Sequence, residues 1–369
     1  MKGLVLAGGS GTRLRPITHT GAKQLVPVAN QPVLFYGLAH LAEAGITQVG
    51  VVVGDAAAEI EAAVGDGSRW GLDITYLAQD RPLGLAHAVL IAGDFLGDDD
   101  FVMYLGDNLV RDGVARFVQA FEADRAERSQ PRLGERHQRT SAQILLAHVP
   151  DAERFGVAEI GPGGEVVGLV EKPTDRRSDL ALVGVYLFDH HVHEAVRAIE
   201  PSARGELEIT DAIQWLIDHG HRVRHEVLDG WWKDTGQVEP LLEGNRLVLE
   251  AIERDVAGQV DGSSRVEGRV AIAEGVEVKG SVIRGPVTIG PGCRIVDSYV
   301  GPFTSIDQGC EVIGSEVEHS IVLAGARIEG ISRLADSLIG RDVVVTCSDR
   351  RPLATRLVLG DHSRADLGR

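Results

Sequence analysis

The chain has 369 residues, of which 44% are hydrophobic and 25% charged, and it carries a formal net charge of −17. That length suits two domains with a core each, and the composition is that of a folded globular protein. The acidic balance speaks against a general nucleic-acid binder, whose affinity comes from cations meeting phosphates; an enzyme for phosphorylated small molecules would need its cations, or a metal, gathered locally.

The N-terminal MKGLVLAGG sets a lysine before a short apolar run, but the run stops in glycines, Arg13 and Arg15 follow, and no cleavage-like site is present. No stretch is long enough to span a bilayer. A cytoplasmic protein without a membrane partner is expected. Residues 3–7 (GLVLA) and 49–54 (VGVVVG) read as buried strands. Val33 to Ala44 has helical spacing, and Gly45 stands where a helix stop belongs. Residues 101–107 (FVMYLGD) read as another buried strand, one that ends in a carboxylate. Strands alternating with helices predict a doubly wound, Rossmann-like, mixed but mainly parallel sheet. The polar, aperiodic segment 122–142 predicts an exposed, mobile loop before a strand at 143–149.

From about residue 258 helical periodicity ends. Gly275, Gly292 and Gly309 are spaced by 17, and so are Ile272, Ile289 and Ile306. Within this frame apolar residues recur every six: Ile283, Ile289, Ile295, then Val300, Ile306, Val312. Small residues follow several of them at the fourth place, among them Cys293, Thr304 and Cys310. A six-residue period is the signature of a parallel β-helix, three hexads to a triangular coil with aliphatics inward. A helix would carry this density of Gly and β-branched residues at too great a cost in propensity. The two domains are expected at 1–250 and 251–369, the second ending in a polar tail. The three cysteines, Cys293, Cys310 and Cys347, are too few and too scattered for a disulfide framework or a zinc site, and buried thiols are expected.

The run LAGGSGTRLRP (6–16) follows the first strand. Gly8, Gly9 and Gly11 lack Cβ atoms, so backbone amides can approach phosphate oxygens, and Arg13 adds a planar, permanent cation. Lys23 follows in KQLVPV. Neither the dinucleotide fingerprint nor the P-loop pattern fits this spacing.

LAGGSGTRLRP with KQLVPV resembles the signature of the sugar-1-phosphate nucleotidyltransferases. YLGDN (104–108), FGVAEI (155–160), LVEKP (169–173), VGVYLFD (183–189), RGELEITDAI (204–213) and GWWKDTG (230–236) resemble the long form of the glucose-1-phosphate thymidylyltransferases, including those of actinobacterial deoxysugar and antibiotic pathways. EVEHSIVLAGARIEG (316–330) and LGDHS (359–363) match the long form as well. The resemblance implies an α/β nucleotidyltransferase domain followed by a hexapeptide-repeat left-handed parallel β-helix. It also implies transfer of a nucleotidyl group, dTMP from dTTP in the first instance, to glucose 1-phosphate.

By that resemblance Arg13, Lys23, Asp107, Lys172 and Asp234 are the catalytic set, with Asp107 and Asp234 holding Mg²⁺. Leu6, Gly8, Gly9, Gly11, Thr12, Arg13, Gln24, Gln79 and Gly84 would bind the nucleotide, Gln79 offering both a donor and an acceptor to a pyrimidine edge. Gly156, Glu171, Lys172, Leu182, Tyr186 and Arg204 would bind the sugar phosphate, and Asp211 would brace that segment. Leu83 stands where the family often has an acidic residue, which touches base selectivity and not the reaction. The coil domain is expected to support a homo-oligomer. Use of UTP or another sugar remains an alternative reading. So do a second, acetyltransferase activity using His319 and, more remotely, a non-catalytic regulatory subunit.

Overall fold

The structure is a computed structural model that describes residues 1–127, 139–175, 178–347 and 359–366. The chain falls into two compact units, Met1–Ser10 with Leu34–Trp232, and Gly11–Val33 with Lys233–Arg369.

In the first unit nine strands form one mixed sheet. They are β1 (Lys2–Leu6), β2 (Gln48–Val53), β3 (Asp73–Ala78), β4 (Phe101–Leu105), β5 (Thr140–His148), β6 (Gly156–Ile160), β7 (Val166–Glu171), β8 (Leu180–Phe188) and β9 (Arg222–Val227). The order is β7-β6-β8-β4-β1-β2-β3, with β5 also pairing β8 and β9 pairing β5. β3, β2, β1 and β4 run parallel. Both faces of the central strands are covered, so these read as unbroken apolar runs: Leu4 and Val5 are fully buried, as are Phe101, Val102 and Met103. The helices α1 (Val33–Glu43), α2 (Ala57–Val64), α3 (Leu85–Ile91), α4 (Ala115–Glu127), α5 (Val192–Ala198) and α6 (Ile209–Asp218) connect them. α1 stops as expected: Gly45 N–H donates to Ala42 O at 2.9 Å and Ile46 N–H to Leu41 O at 3.1 Å, the paired bonds of a Schellman end.

The expected loop at 122–142 is shorter than predicted. Helix α4 runs on to Glu127 and β5 begins at Thr140; residues 128–138 lie outside the described residues. Charge hides this continuation from a hydrophobicity pattern, because the charges here are paired and partly buried. Asp124, 8% exposed, accepts from Thr140 Oγ1 and pairs with Arg222 and Arg224, while Arg125 pairs with Asp100 and Asp189.

In the second unit helix α7 (Val238–Leu249) leads into three parallel sheets whose strands stack coil on coil. The registers reproduce the 17-residue repeat: Val270 lies beside Val287 and Val287 beside Thr304; Ile272 beside Ile289 and Ile289 beside Ile306. This is the stacking of a left-handed parallel β-helix. Its interior is the predicted set, with Ile283, Ile295, Val300, Ile306 and Val312 at 0% exposure and the small residues Cys293, Thr304, Cys310 and Ala326 likewise. The coils begin slightly earlier than the periodicity predicts, at Asp255–Val256, and reach Val344–Thr346. Cys347 departs from expectation: it is exposed, because it lies just past the last coil strand. Among the described residues no helix is long and apolar enough to cross a membrane.

Ile289→Ala removes a side chain that is 1% exposed inside the coil. It should cost about 2–5 kcal/mol of stability, read as a fall in the denaturant midpoint of the coil transition.

Candidate active site

Sheet register sets the first group of residues. Leu6 pairs with Val52 and with Leu105, and Val53 pairs with Ala78. The residues just beyond these four strands therefore emerge along one edge: Gly8 after β1, Gly54 after β2, Gln79 after β3, Asp107 after β4. This is the carboxyl edge, and the strand order reverses between β1 and β4, the place where open α/β sheets take ligands. β8 runs antiparallel to β4 with Val185 opposite Tyr104, which brings Leu182 to the same edge. Next to it β6 sets Gly156 opposite Glu171 of β7. From β8 to β3 is four strand steps, about 19 Å at the usual spacing.

At the β3 end the amide of Gln79 is held by its nitrogen. Nε2 donates to Gly84 O at 3.3 Å and lies 3.0 Å from Nδ1 of His87. That leaves Oε1 as an acceptor, 3.5 Å from where a Cβ on Gly8 would stand. Gly84 has φ +104°, and a Cβ there would lie 2.3 Å from Leu207 O and 2.7 Å from Leu207 N. The backbone approaches that closely because Leu207 N–H donates to Leu83 O and Ala86 N–H donates to Leu207 O. Only glycine meets both demands.

At the centre Asp107 is 9% exposed. Asn108 Nδ2 donates to its Oδ1 at 3.1 Å, Trp232 Nε1 donates to Asn108 Oδ1, and the Tyr104 hydroxyl donates to Asn108 O at 3.2 Å. The carboxylate thus sits at the end of a buried chain of donors. Burial, with the Asp107 charge adding to it, pushes the Tyr104 phenol well up and keeps it protonated.

At the β7 end a Cβ on Gly156 would stand 2.7 Å from Thr210 Cγ2, 2.8 Å from Leu182 Cδ1 and 3.1 Å from Glu171 Oε2. These three side chains close in on the bare glycine so tightly that a residue with a Cβ would have to displace them. Burial lifts the Glu171 carboxyl above its usual range, against the opposing pull of Lys172. Lys172 takes φ +44°, uncommon for a residue with a side chain, and its Nζ lies 3.5 Å from Glu171 Oε1. Arg204 does not stand as a free cation. Its Nη2 is 2.8 and 2.9 Å from the two oxygens of buried Glu208, 3.3 Å from Glu171 and 3.4 Å from Glu206. Tyr186 is 3% exposed within the core, and burial together with the Glu171 charge raises its phenol. Asp211 is half-buried on α6, its carboxyl raised by burial and by Glu208.

The second unit holds the remaining expected residues: Gly11, Thr12, Arg13, Lys23, Gln24 and Asp234. Leu14, 1% exposed, anchors the short turn Thr12–Leu14 and leaves Arg13 exposed on it. A Cβ on Gly236 would lie 3.0 Å from Asp234 Oδ1 and 3.4 Å from Arg13 Nη2, so guanidinium and carboxylate converge on one glycine. Gly236 N–H donates to Asp234 Oδ1 at 2.9 Å. Gly11 lies against Lys23, its Cβ position 2.9 Å from Lys23 Cβ, and Thr18 Oγ1 closes the loop onto Gly11 O at 2.6 Å. Gln24 is 1% exposed, and its Oε1 has no hydrogen-bond partner among the described residues.

Sequence reasoning alone missed four residues: Asn108, His87, Glu208 and Thr210. Asn108 and Glu208 lie inside YLGDN and RGELEIT; Asn108 works through a contact across the fold to Trp232, which spacing does not encode, whereas Glu208 pairs with Arg204 only four residues away, a local signal that the charge spacing could have given. Thr210 is buried beside Gly156 with its Oγ1 unpartnered among the described residues.

Residues 2–251 match the family described as nucleotidyl transferase. A glucose-1-phosphate thymidylyltransferase from Streptomyces griseus is 59% identical over 367 residues, covering 100% of this chain and 99% of its own. One from Streptomyces antibioticus is 58% identical with the same coverage. Among solved structures, a protein from Bacillus anthracis assigned as a glucose-1-phosphate thymidylyltransferase, in complex with sucrose, is 35% identical with a TM-score of 0.60. It covers 67% of this chain and 94% of its own.

Gly84→Ala forces a side chain onto φ +104° and against Leu207. It should lose about 1–3 kcal/mol or more, measured by urea unfolding.

Proposed function

The chain belongs to the nucleotidyl transferase family, and on that premise we propose that it transfers dTMP from dTTP to glucose 1-phosphate, releasing pyrophosphate and dTDP-glucose. The observation that carries this reading is the row of groups along the carboxyl edge of the sheet: an amide acceptor at Gln79, a glycine run, the carboxylate Asp107, then the bare backbone of Gly156 beside Glu171 and Lys172. That row suits a base, a chain of phosphates and a sugar laid end to end.

A phosphate oxygen of the sugar phosphate attacks the α-phosphorus of the triphosphate. A new P–O bond forms as the bond to the β-phosphate oxygen breaks, and pyrophosphate carries the electron pair away. Two unit charges about 5 Å apart repel by about 3 kcal/mol at an effective dielectric of about 20, and several such pairs must be offset at once. Arg13 and Lys23 would grip the triphosphate and the charge that grows at its α-phosphorus, and Lys172 the sugar phosphate. Glu171 would accept from sugar hydroxyls; Gly156 and Leu182 would present backbone to the ring, over the buried Tyr186. No side chain need become a nucleophile, so orientation and charge supply the rate.

Asp107 and Asp234 are the carboxylates that would hold Mg²⁺, which when bound neutralises phosphate charge. Both fit the ion: each is a hard oxygen donor already oriented by an N–H, from Asn108 and from Gly236. Gln24 supports a polar ligand too, since a buried acceptor left unpaired costs about 1–3 kcal/mol. With its nitrogen occupied, Gln79 would accept from the imide N–H of thymine. Uracil carries the same imide and lacks one methyl group, worth about 1–3 kcal/mol in a pocket, so UTP is the second substrate to expect. We further place the protein in the cytoplasm, as a homo-oligomer assembled through the coil, serving a deoxysugar route such as that of an antibiotic, with folding domains 1–250 and 251–369.

Pyrophosphate release over a matrix of triphosphates and sugar phosphates tests the assignment. dTTP with glucose 1-phosphate should give the highest kcat/KM, and no turnover with any pair would end it. Asp107→Ala should lower kcat by about 100-fold or more with an unchanged unfolding curve; full turnover would remove the metal assignment. Glu171→Gln and Gly156→Ala should raise KM for glucose 1-phosphate by about tenfold or more and leave KM for dTTP in place.

A further inference from the structure

We propose that the β-helix is a positioning part of the catalytic apparatus, and that Asn245 is the residue through which it acts on the segment bearing Arg13 and Lys23. The proposal rests on the assignment of those two cations to the triphosphate.

The segment Gly11–Val33 packs in the same compact unit as the coils. After Lys23 the chain makes a small hairpin, Pro27–Val28 paired antiparallel with Gln31–Pro32. The two residues of its turn, Ala29 and Asn30, have φ +48° and +62°. Such turns favour Asn and Gly. An alanine in the left-handed region is uncommon, and such a conformation persists where surroundings over-determine it.

Here the surroundings are the coil. Asn245 of α7 is completely buried. Its Oδ1 accepts from Ala29 N–H at 2.8 Å and from Ser305 Oγ at 2.8 Å, and its Nδ2 donates to Phe303 O at 3.1 Å. A second tie comes from the other turn residue, Asn30 Nδ2 donating to Ile306 O at 2.8 Å. One coil segment, Phe303–Ile306, thus holds both turn residues, one through Asn245 and one directly. Ser305 and Ile306 are themselves fully buried, so the anchor is rigid.

Towards the Arg13 end of the segment the contacts are looser but also come from the coil unit. Ile17 Cδ1 lies 3.4 Å from a Cβ placed on Gly340, and the rings of His19 and His362 stack at 5.4 Å. Lys23 opens the turn that enters the hairpin, with Val26 N–H donating to Lys23 O and Val33 N–H to Val26 O. Loss of the Asn245 bonds therefore frees the strand that follows Lys23, while the sheet that carries Glu171 and Lys172 belongs to the other unit.

Full-length wild type, Asn245→Ala, Asn245→Asp and Asn30→Ala separate positioning from bulk stability. Asn245→Ala should speed amide exchange in residues 24–32 and cut kcat/KM for the triphosphate by about 10- to 100-fold, with KM for the sugar phosphate unmoved. Asn245→Asp keeps the acceptor for Ala29 and Ser305, so it should recover most of that loss; Asn30→Ala should fall between. Faster exchange at 24–32 in Asn245→Ala with wild-type kcat/KM for the triphosphate overturns the proposal, and so does unchanged exchange there. Equal losses for both substrates with a general fall in protection would mean ordinary structural damage and would also overturn it. A wild type that turns over no triphosphate would instead remove the functional reading, and the exchange measurement would still report on the brace.

Discussion

The register of four parallel strands is the constraint on which the rest of the first unit depends. Leu6, Val52 and Leu105 end level with one another, and Val53 with Ala78. A slip of one residue in any pair would turn its side chains to the opposite face. It would take Asp107 or Gln79 off the edge on which Gly8 lies. The buried apolar faces of β1, β2 and β4 make such a slip prohibitive, so the chemistry at the strand ends is located by packing several residues away from it.

Charge is then handled locally within a protein whose overall balance is acidic. The net charge of −17 repels phosphates at a distance, and the structure shows how cations are nevertheless kept in place. Arg204 is embraced by Glu208, Glu171 and Glu206, and Lys172 stands beside Glu171 on a left-handed turn. These carboxylates orient the cations and moderate their charge.

The coil enters this scheme as more than a spacer. Its interior repeats one solution, an aliphatic or a small residue at each inward position, and this gives a stiff rod of stacked backbone bonds. Against that rod lies the buried side chain of Asn245, which makes three hydrogen bonds: one to the hairpin and two to the coil. A buried amide hydrogen-bonded on both its oxygen and its nitrogen favours one arrangement. Here the arrangement it favours is that of the segment after Lys23.

Periodicity was enough for much of this. Unbroken apolar runs marked β1, β2 and β4; a six-residue recurrence within a 17-residue repeat marked the coils; Gly45 marked a helix end. The glycine run with Arg13 suggested a phosphate site from residue type, whereas the roles expected of LGDN and EKP came from the family resemblance. What lay between distant segments was out of reach. Charged residues at 122–127 read as loop because a pattern of hydrophobicity cannot see that Asp124 and Arg125 are neutralised by partners from Asp100 to Arg224. The sequence by itself determined which local structures form and which groups could do the chemistry, since these follow from short-range sterics and side-chain type. Only the tertiary structure decided which carboxylate holds which cation, that Asn108 aims Asp107, and that a coil strand about 280 residues downstream of Lys23 holds the turn after it, because hydrogen bonds and ion pairs depend on distances that folding alone creates.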